Sequence, residues 1–258
     1  MSARLQVQGL SRRFGGLIAL SEMSFDTERG QIFGVIGPNG AGKTTLFNVI
    51  SGAIAPSGGE VLFDGARISG LPIERISRLG VARTFQSTNI FKSETVEENL
   101  RRGALLSSIY SPTAYLRSLL FSRTTSRSAA PSIPEVAKFI GLSGVLDKPA
   151  AGLAYGLQKI LGVGMAMMTG PQLMLMDEPA AGLNPTEKVM MGRLIRELTD
   201  TRGIDVVVVE HDMPLIMQTC DRIMVMSYGK KIALGTPEAI RSDKNVIDAY
   251  LGAEYEFS

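Results

Sequence analysis

A single cysteine, Cys220, is all the thiol chemistry this chain of 258 residues has. An internal disulfide and a cysteine-held metal cluster are both excluded, and a reducing compartment suits the composition. Histidine is equally scarce, with His211 the only one. No run approaches the roughly 20 uninterrupted apolar residues of a membrane-spanning helix. Met1 to Leu10 is broken by Arg4, Gln6 and Gln8, which the apolar core of a secretory signal would not contain. The expectation is a protein that stays in the cytoplasm and is not itself a channel. Charge of one sign is lacking too, because a net +2 leaves no nucleic-acid footprint. Acidic residues are missing altogether from Asn99 to Pro134, where Arg101, Arg102, Arg117, Arg123 and Arg127 gather among Ser, Thr and Pro. A solvated face and a partner or lipid contact both fit that stretch.

What is present begins with composition: 45% hydrophobic and 20% charged residues belong to an ordered globular protein. The length suits an α/β domain carrying a subdomain. The most specific stretch is Gly37-Pro38-Asn39-Gly40-Ala41-Gly42-Lys43-Thr44, which satisfies Gly-x4-Gly-Lys-[Ser/Thr]. An apolar run from Gln31 to Ile36 precedes it, and Thr45 to Ile50 follows with helical spacing. Strand, loop and helix are the context that a phosphate-binding loop requires. Its glycines let successive N–H groups point inward, and the helix N-terminus adds partial positive charge. Lys43 is then expected to reach β- and γ-phosphates, and Thr44 to place its hydroxyl on Mg²⁺.

Around this loop, Leu5 to Gln8 and Met23 to Asp26 alternate as strands with turns at Gly15-Gly16 and Arg29-Gly30, giving an antiparallel edge region. Phe14, in the Gly-rich turn, is either a stacking platform for a purine base or a core aromatic. Glu60 to Phe63 and Val81 to Phe85 read as strands, and Ile73 to Leu79 as a helix. Gln86 to about Ala151 reads as a helical insertion, loosest from Ser122 to Ser132. Leu157 to Met168 is a buried helix, and Pro185 to Leu198 another, with Asn184 as its cap. Leu173 to Met176 and Ile204 to Val209 are apolar on both faces, as in a covered parallel sheet. Ile223 to Met226 and Lys231 to Leu234 resemble a hairpin, and Thr236 to Ile240 and Val246 to Leu251 are short helices.

Asp177 and Glu178 follow four apolar residues, so both carboxylates stand at the carboxyl end of a buried strand, where such sheets hold ligands. Asp177 would help hold Mg²⁺, leaving Glu178 to orient the water that attacks a γ-phosphate. Glu210-His211 ends the valine strand in the same way. A lone histidine is often structural, but this position favours a γ-phosphate contact. Gln86 supplies an amide for a metal-bound or attacking water. Leu153 to Gln158 is a Gly-containing loop before a helix, an anion-binding geometry.

In this order, Phe14, Gly37 to Thr44, Gln86, Leu153 to Gln158, Leu173 to Glu178, Ala181 to Asn184 and His211 resemble the A-loop, Walker A, Q-loop, signature, Walker B, D-loop and switch of ABC-transporter ATPase subunits. The resemblance covers nearly the whole chain. Phe14 to Leu17, Leu153 to Gly156, Asp177 to Pro185, Glu210 to Met213 and Ala249 to Gly252 are similar to the branched-chain amino acid importer type. It implies a P-loop core (1–86 and 152–258) with a helical subdomain (87–151), and ATP and Mg²⁺ as cofactors. It adds Thr45, Ala154, Tyr155 and Gly156 to the nucleotide-binding set, the last three acting on the nucleotide of a partner subunit, and Gln86 to the metal set with Thr44 and Asp177. The implied assembly is a head-to-tail dimer of ATPase subunits, identical or paralogous. It docks a membrane permease near Gln86 on the inner membrane face and works with an extracytoplasmic solute-binding protein.

Departures from the common pattern are Ala154 for Ser, Tyr155 for Gly, Leu157 for a polar residue and Asn184 for Asp. Without those side chains, phosphate contact falls on N–H groups near Gly156, and Gly156→Asp is expected to act only across the dimer. A soluble ABC-type ATPase of DNA repair or the ribosome would carry long coiled-coil insertions, zinc cysteines or two ATPase halves. A P-loop kinase would not need Glu178, His211 and the signature together.

Overall fold

A computed structural model describes residues 3–84, 90–108 and 131–255. Ala3–Phe14 (β1) and Leu17–Glu28 (β2) pair antiparallel. Ile32–Ile36 (β3) leads through the Gly-rich loop into Lys43–Ile50 (α1). Gly58–Phe63 (β4) and Ala66–Arg67 (β5) return to β1, and the four strands form a sheet of their own in the order β2-β1-β4-β5. Ile73–Leu79 (α2) and Val81–Arg83 (β6) follow, then Val96–Ser108 (α3), Ile133–Phe139 (α4) and Tyr155–Met167 (α5). Leu173–Asp177 (β7), Pro185–Arg202 (α6), Asp205–Val209 (β8) and Met213–Thr219 (α7) come next. Arg222–Ser227 (β9), Lys230–Gly235 (β10), Pro237–Arg241 (α8) and Lys244–Tyr255 (α9) complete the described chain.

The second sheet has the order β10-β9-β3-β8-β7-β6, parallel throughout except for the closing β9–β10 hairpin. Every position of β3, β7 and β8 is buried, so both faces need cover. Alternation divides the side chains between two cores. Phe33, Val35, Leu175, Val207 and Val209 meet α1 and the antiparallel sheet. Ile32, Ile36, Met174, Met176, Val206 and Val208 meet the helices of the other face. That second core is continuous with Val96 and Leu100 of α3, Val136 of α4 and Ile140 just after it, and Ile160 and Val163 of α5. α3 crosses α5 closely enough that a Cβ on Gly103 would lie 2.4 Å from the Met165 carbonyl oxygen.

Local signals hold where they were specific. Asn184 caps α6, accepting from Glu187 N–H while the Glu187 carboxylate accepts from Asn184 N–H, a reciprocal box that satisfies two orphan donors. The helix then runs past Leu198 to Arg202 and stops at Gly203 in the left-handed region. Of the segment expected to be loosest, the residues up to 130 lie outside the described residues, as does Phe85 of the strand expected from Val81. Ser132 is a correction: it is the N-cap of α4 in a second capping box, with Glu135.

The two sheets are tied at the end away from the Gly-rich loop. Buried Arg4 of β1 donates from Nε to Asp205 Oδ2 at 2.5 Å, and from Nη1 to Asp64 at 2.7 Å and Gln172 at 2.8 Å. Asp205 Oδ1 accepts from Gly30 N–H at 2.6 Å. Asp205→Asn keeps the shape but removes the charge and one acceptor, while Asp64 still compensates Arg4. It is expected to lower unfolding free energy by about 2 to 3 kcal/mol, measured by urea titration as a lower midpoint at unchanged slope.

Candidate active site

Parallel strands deliver their following loops to one sheet edge. Here the register sets Val35 and Asp177 on either side of Val209, and the main chain extends that row. Glu178 N–H donates to the Val209 carbonyl at 2.9 Å, and Glu210 N–H to that of Val35 at 3.4 Å. The loops after β3, β7 and β8 therefore leave from neighbouring points.

The Gly-rich loop has the curl its sequence requires, with Gly40 at φ 79° and Gly42 at φ 98° and Ala41 N–H turned back on the Pro38 carbonyl at 3.2 Å. α1 starts with no side-chain cap and no acidic residue in its first turn, so its N-terminal dipole is available to an anion. Lys43 is buried, and its Nζ donates to the Gly37 carbonyl at 2.6 Å and the Pro38 carbonyl at 2.9 Å. Burial lowers its pKa from the ordinary range, opposed by the carboxylates of Glu178 and Asp177. Asn39, Gly40 and Thr44 are exposed, and Thr45 is half-buried in the first helical turn. A buried ammonium, an uncapped helix end and hard oxygen donors on Thr44 and Asp177 fit a Mg²⁺-bound phosphate chain.

Partners distant in sequence hold this loop and its neighbour. Gly229 N–H donates to the Ala41 carbonyl at 3.0 Å, and Ser21 N–H to the Gly229 carbonyl at 2.9 Å. The β9–β10 turn thus staples β2 to the loop. Arg83, at the end of β6, donates to Asp177 Oδ2 at 2.8 Å, to Asn48 Oδ1 at 2.6 Å and to Ser51 Oγ at 3.2 Å. It neutralises a buried carboxylate and ties β6 and β7 to α1. Reading the sequence alone missed it, although an arginine closing an apolar strand was an available signal.

Glu178 holds φ 47°, a left-handed conformation that costs a non-glycine residue on the order of 1 kcal/mol. His211 is exposed, and its Nδ1 stands 4.0 Å from Glu178 Oε1, too long for a direct hydrogen bond. Between these loops lies Glu210, buried, with Oε1 accepting from Ala180 N–H at 2.6 Å and Oε2 from His211 N–H at 3.2 Å. Burial raises the Glu210 pKa, and the N–H groups of Ala180, His211 and Asp212 oppose the shift. It had been legible only as the companion of His211, yet it is the strut between both catalytic candidates.

Phe14 ends β1 with 43% exposure, which excludes the core aromatic, and the Arg12 guanidinium stands 4.6 Å from its ring centroid. Gln86 lies outside the described residues. Ala154, Tyr155 and Gly156 gather elsewhere: among the described residues no hydrogen bond or ion pair joins them to residues 37–45. Ala154 is the uncapped N-cap of α5. The Tyr155 ring would be 3.1 Å from a Cβ on Gly182, and Glu187 Oε1 would be 2.6 Å from one on Gly156. Any side chain at position 156 therefore starts against Glu187 of its own chain, a contact that the expectation for Gly156→Asp did not include. Leu157 packs half-buried against the helical core, which accounts for an apolar residue there.

Set against known proteins, residues 20–181 match the family described as ABC transporter, and residues 230–256 the family described as branched-chain amino acid ATP-binding cassette transporter. The chain is 42% identical over 255 residues to the high-affinity branched-chain amino acid transport ATP-binding protein BraF of Pseudomonas aeruginosa, covering 96% of this chain and 97% of that one. It is 40% identical over 254 residues to LivG of Escherichia coli, at 96% and 97% coverage. Among solved structures, the ADP conformation of an ATP-binding cassette of an ABC transporter superposes with a TM-score of 0.82 at 30% identity, covering 98% of this chain and 100% of that one. A nucleotide-free cassette superposes with a TM-score of 0.81 at 28% identity, covering 96% and 99%.

Gly229 tests the stapling of the loop. It has φ 73°, and a Cβ there would lie 2.6 Å from the Ala19 carbonyl oxygen, whereas Gly65, at φ 78°, has nothing within 4 Å. Both alanine variants carry the left-handed cost, but only Gly229→Ala displaces the turn from Ala41. Titration with a fluorescent ATP analogue is expected to show affinity reduced about tenfold for Gly229→Ala, the equivalent of one lost hydrogen bond. Gly65→Ala should bind as the parent does.

Proposed function

The chain belongs to the ABC transporter family of ATP-binding proteins, and from that premise we propose that it energises import of branched-chain amino acids, or a related small solute, through a separate membrane permease. It binds and hydrolyses ATP, as subunits of this family do. The observation that carries the reading is the row Val35, Val209 and Asp177, which brings the phosphate loop, Glu178 and His211 to one edge. The C-terminal match over residues 230–256 narrows the class of solute.

In this reading the loop from Gly37 to Thr45 holds phosphate oxygens through its main-chain N–H groups at Asn39, Gly40, Ala41, Gly42 and on into Lys43, Thr44 and Thr45, with Pro38, which has none, shaping the turn, and Lys43 neutralises the phosphates. Phe14 offers its exposed ring to the base. Thr44, Asp177 and Gln86 would hold Mg²⁺, which when bound withdraws charge from the phosphates. Glu178 orients the water in line and accepts its proton, Gln86 helps position that water, and His211 donates to the γ-phosphate oxygen as charge builds. Glu210 keeps Glu178 and His211 in register without touching either phosphate or water.

Residues Ala154, Tyr155 and Gly156 complete the site of a second ATPase subunit arranged head to tail, identical or paralogous. Their seat on residues 182–187 of their own chain supports this. The segment 87–151 meets the permease, and the subunit works at the inner face of the membrane with a solute-binding protein outside. No described helix is long and apolar enough to cross a membrane.

Glu178→Gln is expected to bind MgATP normally and lower steady-state hydrolysis by at least about a hundredfold, the scale of a positioned general base, while accumulating as a closed dimer on gel filtration with ATP. Hydrolysis near the parental rate would remove Glu178 from the role. His211→Ala should likewise keep nucleotide affinity and lose most turnover; parallel losses of both would make the histidine structural. The solute is identified by purifying the intact transport complex and analysing by mass spectrometry what its binding protein retains, and a retained non-amino-acid would overturn that class.

A further inference from the structure

Lys159 is a buried cation that none of these roles uses. It lies in the second turn of α5, 8% exposed, and its Nζ donates to the main-chain carbonyl of Glu178 at 3.1 Å. An ammonium taken from water is costly unless its charge and protons are engaged. Burial lowers its pKa, while the carboxylates of Glu210 and Glu178 favour its charged form. The Tyr155 ring, one turn earlier, has its centroid 5.8 Å from Nζ.

The contact belongs to a set. Tyr155 packs on Gly182, the Glu187 carboxylate lies against Gly156, and Lys159 holds Glu178, so the first turns of α5 are joined to residues 178–187 at three points. Glu178 needs such support, because its left-handed backbone persists only where surroundings over-determine it. Its carbonyl also accepts a longer 3.2 Å bond from Ala181 N–H.

We propose that Lys159 is a positioning residue that fixes the Glu178 peptide and makes residues 178–187 move as one body with the N-terminal turns of α5. This rests on the reading of Glu178 as the group that orients water and of Ala154 to Gly156 as serving a partner's site. One chain then physically joins half of its own site to the half it lends, and engagement of the lent half is felt at Glu178.

The test compares the full-length parent with Lys159→Met, which keeps length and removes the donor, and Lys159→Arg, which keeps a charged donor. Amide hydrogen exchange is followed without nucleotide, and hydrolysis at varied MgATP. For Lys159→Met, exchange of residues 178–183 should rise and kcat should fall, each about tenfold, the worth of one charge-assisted hydrogen bond. KM and exchange within β7 and β8 should not change, and Lys159→Arg should restore most of both losses. Parental loop exchange and kcat in Lys159→Met would overturn the proposal. So would exchange rising equally across β3, β7 and β8 in both variants, which marks a merely structural charge. A parent chain that hydrolyses no ATP would count against the proposed function instead, leaving the exchange comparison to decide this inference.

Discussion

The insertion of β8 between β3 and β7 is the constraint on which the rest of the structure depends. Its four consecutive valines are buried on both faces, and each contributes about 1.5 kcal/mol or more by leaving water. A slip of one position inside this run would replace valine with valine, so the polar ends fix the register: Asp205 is held by Arg4 and Gly30, and Glu210 by Ala180 and His211, and a slip would break both sets and move a carboxylate into a core. The apolar run gives the strand its central place, and its charged ends set Val35, Val209 and Asp177 in one row. The active edge follows from that register.

On that edge the protein concentrates what a core normally avoids. Lys43, Asp177, Lys159 and Glu210 are all buried, and Arg83 is nearly so. Ion pairs in such places are weak contributors to stability, since desolvation offsets much of the attraction. Their value lies in direction: Arg83 holds Asp177, Glu210 holds the amides of Ala180 and His211, and Lys159 holds the Glu178 carbonyl. On the proposed roles, each group assigned to phosphate, metal or water is aimed by one that is not, as preorganised electrostatic catalysis requires.

α5 shows how the same economy extends across the molecule. Its first turns, which carry Ala154 to Gly156, rest on the loop that begins with Glu178. Glu187 serves twice, capping α6 with Asn184 and covering Gly156. On the proposed roles, a change in how a partner seats on these turns has a short route to Glu178. The residues that depart from the common signature fit this setting, with Tyr155 filling the space over Gly182 and Leu157 facing the core.

The sequence by itself determined the elements whose physics is local. A phosphate loop is a run of consecutive amides, a covered strand is an unbroken apolar run, and a cap is a side chain three residues from the N–H it satisfies. So residues 37–44, the strands around Asp177 and Glu210, and the Asn184 cap were all legible. Tertiary structure alone decided the partners brought together by strand order and helix crossing. Arg83 and Asp177 are 94 positions apart, Gly229 reaches Ala41 from the turn that ends the adjoining strand β9, and Lys159 meets a carbonyl that has no side-chain signature at all. It also chose between open readings, exposing Phe14 and making Ser132 a cap. Local patterns state which groups a residue can satisfy, whereas only the packed register determines which groups come within reach.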